Sequence, residues 1–349
     1  MSSTAPPCSP TATAHPARAH PAGGGGTRAA ILGVGAAVPE AVLGNAELEA
    51  MVDTSDTWIL ERTGIRERRR AGEGETTSVL ATGAARAALA RAGNPPVDLI
   101  MVATVTPDTL FPATACLLQR RLGLTGIPAL DINAACSGFV YGLAMADSLV
   151  RSGRAEHVLL VAAETMTTVV DYSDRATCVL FGDGAGAAFI GAGPAGLRAV
   201  RWGADGREAD LIYYGPSPHG DRPDPAVRMA GKGTFKLAVE RMVELAEGLC
   251  SDAGWTIDDV DWIVPHQANL RIIEAVGKRA GVPSEKVVFN GDRLGNTSAA
   301  SIPLALADAD AAGRFRPGDR LLCLAFGAGA TWAGAALEWV TEPRPPAVP

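Results

Sequence analysis

Val97-Asp-Leu-Ile-Met-Val102 is answered about 163 residues later by Val260-Asp-Trp-Ile-Val264. At the same offset Asn133-Ala-Ala-Cys-Ser137 matches Asn296-Thr-Ser-Ala-Ala300, and His157-Val-Leu-Leu-Val-Ala162 matches Arg320-Leu-Leu-Cys-Leu-Ala325. Three matches at one spacing indicate an internal duplication. Each copy reads as a short apolar run, a turn, a helix of small residues and a second apolar run. The runs lack polar alternation, as strands covered on both faces by helices do. The fold class is therefore α/β, layered, with two pseudo-equivalent halves. Residues 28–200 are expected to form the first half and residues 201–340 the second, between a disordered leader (1–27) and a short disordered tail (341–349). Outward from the repeats, residues 45–53, 77–92 and 235–253 read as helices. The last is amphipathic, with Phe235, Leu237, Val239, Met242, Val243 and Leu245 as its apolar residues. The polar, Gly/Pro-rich span 204–230 reads as a surface excursion between the halves.

The bulk numbers exclude several classes of function. Hydrophobic residues make up 47% of the 349 and charged residues 20%, enough for a large core. A net charge of −7 argues against general nucleic-acid binding, which needs a basic face. No apolar run approaches the ~20 residues of a membrane span. The six cysteines are scattered, without a C-x-x-C pair or nearby His at metal-ligand spacing, so neither a disulfide framework nor a zinc site is expected. A reducing, cytoplasmic setting fits. The leader has no apolar segment of the secretory kind.

The chemistry concentrates in the repeats. In Asp131-Ile-Asn-Ala-Ala-Cys-Ser-Gly-Phe139, Cys136 follows a strand and a tight turn and enters a helix. A helix N-terminus carries about half a positive charge, which lowers a thiol's pKa and favours the nucleophilic thiolate. A buried, inert Cys is the plainer reading of this residue taken alone. His266 follows the strand Trp262-Ile-Val264 and Pro265, where a catalytic base belongs in an α/β protein, although a hydrogen-bonded core His also fits. Asn296 lies in Gly295-Asn-Thr-Ser-Ala-Ala-Ser-Ile-Pro303 and also suits a helix N-cap. Together Cys, His and Asn can activate a thiolate and bind a developing oxyanion. Phe326-Gly-Ala-Gly-Ala-Thr-Trp332 permits close backbone approach to a ligand or simply turns between strands. Phe181-Gly-Asp-Gly-Ala-Gly186 is read as structural.

The runs DINAACSGF, PHQANLRI, GNTSAASIP and FGAGATW, in this order, resemble β-ketoacyl-acyl-carrier-protein synthase III of the thiolase superfamily. Val52 to Arg69 is similar to that family's cofactor-contacting segment, and the resemblance covers roughly residues 28–340. It implies the thiolase-like, duplicated αβαβα layered fold and a homodimer. Cys136 would be the acylated nucleophile, with His266 and Asn296 completing the triad and binding the malonyl thioester oxygen. The backbone N–H groups of Cys136 and Ala328 would form the acyl oxyanion hole, beside Gly327, and Phe326 would favour loss of carboxylate. Trp58 and Arg175 would sandwich the adenine of coenzyme A, with Arg62, Lys232 and Asn269 along the same substrate. Phe111 would reach the neighbouring subunit's acyl pocket. Lys236, Arg271, Lys278 and Arg279 would receive the acidic carrier protein, as a local basic patch on an acidic protein can. No metal or resident cofactor is implied; coenzyme A enters as a thioester substrate.

Two departures from the family's pattern stand out. Ala328 occupies the middle of a usual Gly-Gly-Gly, and Ala disfavours a positive φ. Lys232 stands where Asn is common. Both point to a divergent member, of a specialised pathway rather than housekeeping lipid synthesis. The expected reaction is decarboxylative condensation of an acyl-CoA with malonyl-acyl-carrier protein. The alternative is acyl transfer to an alcohol or amine without chain extension. A papain-like protease lacks support, since no Cys-Gly-Ser-Cys-Trp segment is present, and a non-catalytic partner subunit would lack the Cys.

Overall fold

The computed structural model describes residues 28–193, 195–216 and 224–342; the expected leader and all but two residues of the expected tail lie outside these ranges. Two sheets form the frame. The first joins β1 (Arg28–Ala37), β2 (Leu99–Ala103), β3 (Ala129–Ile132), β4 (His157–Thr165) and β5 (Asp183–Gly193) in the order β1-β5-β4-β2-β3. The second joins β6 (Leu197–Ala204), β7 (Trp262–Pro265), β8 (Arg320–Gly327) and β9 (Thr331–Glu338) in the order β6-β9-β8-β7. A parallel bridge from Ile263 to Val287 stands where the first sheet has β3. The β2/β4 and β7/β8 pairs are parallel, and β4/β5 and β8/β9 antiparallel. The two sheets thus repeat one topology, as the spacing of 163 predicts. β6 opens the second sheet at Leu197, a few residues before the expected start of the second half.

The helices repeat as well. α1 (Thr77–Arg91), α2 (Thr114–Leu122) and α3 (Gly138–Arg151) attend the first sheet; α4 (Gly231–Ala253), α5 (Leu270–Ala280) and α6 (Ser301–Ala311) attend the second. α3 and α6 lie between the sheets. Phe139, Leu143 and Ala146 of α3 share one apolar cluster with Ile302, Leu304 and Leu306 of α6 and with strands of both sheets. Each large side chain so buried contributes about 1.5–3 kcal/mol. α1 packs outside the first sheet, and α4 and α5 outside the second. The order of layers is α-β-α-β-α.

Local chemistry explains several elements. Asp131, the first residue of the Cys136 run, is structural: its carboxylate accepts the Thr114 and Ala115 N–H groups at 2.7 and 2.8 Å and caps α2. The Phe181–Gly186 run also serves packing, since a Cβ on Gly186 would fall 2.6 Å from the Leu304 backbone nitrogen. The helix expected over 235–253 begins earlier, at Gly231: the Thr234 N–H makes the first helical bond to the Ala230 carbonyl at 3.0 Å, and the Ala230 N–H is held by the Leu211 carbonyl at 2.8 Å.

The span 204–230 departs from expectation. Ile212–Gly215 and Ala226–Met229 pair as an antiparallel ribbon, and residues 217–223 lie outside the described ranges. Ala226 and Val227 are buried, and the Val227 N–H bonds to the Val169 carbonyl at 2.9 Å. The ribbon folds back over the first half instead of running across the surface. Its alternating Ile, Tyr, Val and Met residues supply the apolar face that the Gly/Pro-rich surroundings mask in the sequence.

Candidate active site

Cys136 sits in a single 3-10 turn, Ala135–Ser137, that leads into α3. Ala135 is held at φ 46°, a left-handed conformation costly for Ala. Its counterpart 163 residues on, Ser298, is held at φ 50°. The duplication therefore extends to backbone strain at both helix entries. Gly327, at the end of β8, faces the nucleophile's turn: a Cβ there would lie 2.7 Å from the Cys136 nitrogen and 3.2 Å from its Cβ. Glycine is needed here for close approach. Ala328 follows with an ordinary backbone, and Gly329 takes the positive φ of 130°. The methyl at Ala328 accordingly brings none of the strain expected from sequence.

His266 leaves the end of β7 and is 3% exposed. Its N–H donates to the Leu324 carbonyl at 2.7 Å, and its Nδ1 lies 2.7 Å from Ser301 Oγ. Its Nε2 makes no hydrogen bond among the described residues. Asn296 is fixed as a strand-like bridge to Phe181: its N–H donates to the Leu180 carbonyl at 2.8 Å, and its own carbonyl accepts the Gly182 N–H at 3.1 Å. Its Oδ1 accepts the Ser298 N–H at 2.9 Å. The capping role considered for Asn296 is thus partly correct, as a local turn cap, and its Nδ2 has no partner among the described residues.

These three side chains converge. Cys136, His266 and Asn296 line one cavity of about 150 Å³ together with Phe326, Ala328, Ser298 and Asn269. The walls are otherwise apolar, from Val105, Met166, Phe181, Val227 and Met242 among others. Tyr213 and Tyr214 of the ribbon close it, a contribution unforeseen because that span was read as surface.

Burial dominates the electrostatics. It pushes the Cys136 thiol up to about 12, against the neighbouring Ser298 hydroxyl, which lowers it, with the nearby Glu164 carboxyl raising it further. The expectation of a thiol depressed by the helix N-terminus is not met: burial is the largest influence on the sulfur and raises it. Burial pulls the His266 imidazole down to about 4, so the ring is neutral near pH 7. Glu164, absent from the sequence reading, is pushed up to about 7 by burial, against hydrogen bonds from Thr106, Val105 and Thr104.

The outer residues fall into groups. Arg175 stacks on Trp58, its Cζ 4.8 Å from the ring centroid, and Arg62 stands at 6.0 Å. A planar ring inserted between two faces needs about 7 Å, so Arg175 must swing away to admit one. Asn269 lines the cavity while its Oδ1 caps α5, accepting the Ile272 N–H at 3.0 Å. Lys232 is exposed in the first turn of α4. Lys236, Arg271, Lys278 and Arg279 are exposed on α4 and α5. Arg271 lies 6.0 Å from the Phe235 ring, and Lys278 follows it by seven residues on the same helix face. Phe111 is 84% exposed and Leu110 93%, and Phe111 does not line the Cys136 cavity of its own chain. Among the described residues, no group of three or more His, Cys, Asp or Glu is placed to hold a metal ion, and no helix is long and apolar enough to cross a membrane.

Residues 130–206 match the family described as 3-oxoacyl-[acyl-carrier-protein (ACP)] synthase III, and residues 250–339 match its C-terminal portion. The beta-ketoacyl-[acyl-carrier-protein] synthase III of Rhizorhabdus wittichii is 49% identical over 317 residues, covering 89% of this chain and 99% of that relative. The crystal structure of 3-oxoacyl-[acyl-carrier-protein] synthase III from Aquifex aeolicus superposes with a TM-score of 0.85 at 45% identity, covering 90% of this chain and 100% of that one. The priming beta-ketosynthase from the R1128 polyketide biosynthetic pathway gives the same TM-score at 38% identity, covering 91% of this chain and 98% of that one. Near-half identity over the full length of a relative exceeds what a shared thiolase-like fold requires, and the chain belongs to the 3-oxoacyl-[acyl-carrier-protein] synthase III family.

Proposed function

We propose that this protein condenses an acyl-CoA primer with malonyl-acyl-carrier protein and so starts fatty-acid or polyketide chains. The observation that carries the reading is the meeting of Cys136, His266 and Asn296 in one apolar cavity. In the first half-reaction the Cys136 sulfur attacks the primer thioester. The acyl group moves to sulfur, and coenzyme A leaves with the thiol proton. Backbone N–H groups of Cys136 and Ala328 hold the oxyanion. Trp58 and Arg175 take the adenine between them, with Arg62, Lys232 and Asn269 along the rest of coenzyme A.

In the second half-reaction the malonyl carboxylate enters an apolar site beside Phe326 and leaves as CO₂. The electrons left on carbon become an enolate whose oxygen takes hydrogen bonds from His266 Nε2–H and Asn296 Nδ2. With Ser301 Oγ 2.7 Å from Nδ1 acting as the donor there, the proton sits on Nε2. A neutral His suits this role, because it donates without titrating near pH 7. The enolate carbon attacks the acyl-cysteine carbonyl, the C–S bond breaks, the Cys136 sulfur leaves as thiolate and takes a proton from water, and the β-ketoacyl-carrier protein is released.

The acidic carrier protein docks on Lys236, Arg271, Lys278 and Arg279. The chain works in the cytoplasm as two thiolase-like halves and pairs as a homodimer. Leu110 and Phe111 form its exposed apolar loop, beside a second cavity of about 800 Å³ that Leu110 lines. The test is intact-mass detection of the acyl-enzyme with a panel of acyl-CoAs, followed by CO₂ release on adding malonyl-carrier protein. An acyl adduct with no CO₂ release would instead favour acyl transfer without extension.

A further inference from the structure

Ser298 stands out among the cavity residues. Its backbone is held at φ 50°, where a glycine would be relaxed and a serine is strained. A strained residue at a reactive site invites a functional reason for its side chain. Its strained counterpart across the duplication, Ala135, carries only a methyl. The Ser298 N–H is engaged by Asn296 Oδ1 at 2.9 Å, so the local fold is secured through the backbone and leaves the hydroxyl free for another role. That hydroxyl lines the cavity with Cys136, and the Ser298 turn packs against both the Cys136 turn and β4, the strand that carries Glu164.

Glu164 is a second, independent sign. It is fully buried on β4. Its Oε2 accepts from the Thr104 hydroxyl (3.1 Å), the Val105 and Thr106 N–H groups (3.0 and 3.2 Å) and the Thr106 hydroxyl (2.7 Å). Its Oε1 is buried without a close partner. A buried carboxyl oxygen left this way is costly unless it serves a neighbouring group. Oε2 alone accounts for the turn over 104–106, so Oε1 is surplus to that structural task.

Resting on the proposed acyl-cysteine chemistry, we propose that Ser298 is a positioning residue for the nucleophile. Its hydroxyl, biased by the unpartnered Glu164 Oε1, turns to the Cys136 sulfur and stabilises negative charge as it develops there. The other titratable side chains around the sulfur are His266, Tyr213 and Tyr214 on the cavity wall.

The variant that isolates the hydroxyl is Ser298→Gly, because glycine favours the observed φ and keeps the N–H that bonds Asn296. The melting temperature is expected to hold or rise. The rate of iodoacetamide alkylation at Cys136, read by intact mass, is expected to fall about tenfold, with its pH profile displaced to higher pH. Acylation by acetyl-CoA should slow in parallel. Glu164→Gln should change the alkylation rate severalfold in the parent protein and add nothing in the Ser298→Gly background. Parent-like alkylation in Ser298→Gly, or effects of the two substitutions that simply multiply, would overturn the inference. Failure of the parent protein to form any acyl adduct would instead count against the condensation reading, and alkylation would still report on Ser298.

Discussion

Gly327→Ala puts one methyl against the nucleophile's own backbone. The new Cβ would lie 2.7 Å from the Cys136 nitrogen and 3.2 Å from both the Cys136 Cβ and the Ser137 nitrogen. Unstrained contacts of this kind sit near 3.5 Å, so roughly 0.8 Å must be found. The turn has little room to give. Ser137 is fully buried, and a Cβ at Gly138 would already lie 3.1 Å from Ala103 and 3.4 Å from Ala299. Overpacking of this type costs about 1–3 kcal/mol. A displacement approaching 1 Å at reacting atoms costs on the order of 100-fold in rate. The variant should melt a few degrees lower and form the acyl-enzyme about 100-fold more slowly in single-turnover intact-mass measurements. Ala328→Gly is the control, since Ala328 has an ordinary φ and no such contact is required of it; its acylation rate should stay within about threefold. A Gly327→Ala protein with parent-like acylation and melting temperature would refute the packing argument.

Two further outcomes follow from charge. His266 is held at about 4, below its ordinary 6.5, so between those values the unfolded chain binds more protons than the folded one. Stability therefore falls as pH drops through that window, by about 3 kcal/mol at most from this group. Denaturant titrations of His266→Asn should lose this part of the acid sensitivity; an unchanged difference from the parent between pH 6.5 and 4 would contradict the buried, neutral His. On the surface, Lys236→Glu with Arg271→Glu should raise the KM for malonyl-carrier protein at least tenfold at low salt while leaving acylation by acyl-CoA unchanged. A KM insensitive to both charge reversal and salt would remove α4 and α5 as the docking face.

The fold was legible because duplication leaves a mark that local propensity does not. The matches of Val97–Val102, Asn133–Ser137 and His157–Ala162 to their partners locate β2, the nucleophile's turn and β4 in one half, and β7, the Asn296 turn and β8 in the other. The triad was legible for the same reason, since Cys136 and Asn296 occupy corresponding turns. Other features depend on three-dimensional burial and were hidden. Nothing in the local sequence says that Val227 is buried or that Tyr213 and Tyr214 reach the rim of the Cys136 cavity, because the pairing of their ribbon decides it. The raised Cys136 thiol reflects its burial at the seam between the halves, which a motif does not encode. Ser301 meets His266 across 35 residues of chain, and Glu164 meets Thr104 and Thr106 across about 60, with no spacing signal to join them. Conversely, the methyl at Ala328 looked disruptive in the sequence, and the structure moves the demanding backbone geometry to Gly329.

Separating the two half-reactions in single substitutions tests the central claim most directly. Intact-mass acylation by acyl-CoA and CO₂ release from malonyl-carrier protein should be measured on the same preparations of Cys136→Ala, His266→Ala and Asn296→Ala. The account predicts no acyl adduct for the Cys136 variant, and a retained adduct with CO₂ release reduced at least 100-fold for the other two. Parent-like CO₂ release in the His266 and Asn296 variants, or an adduct surviving in Cys136→Ala, would contradict it.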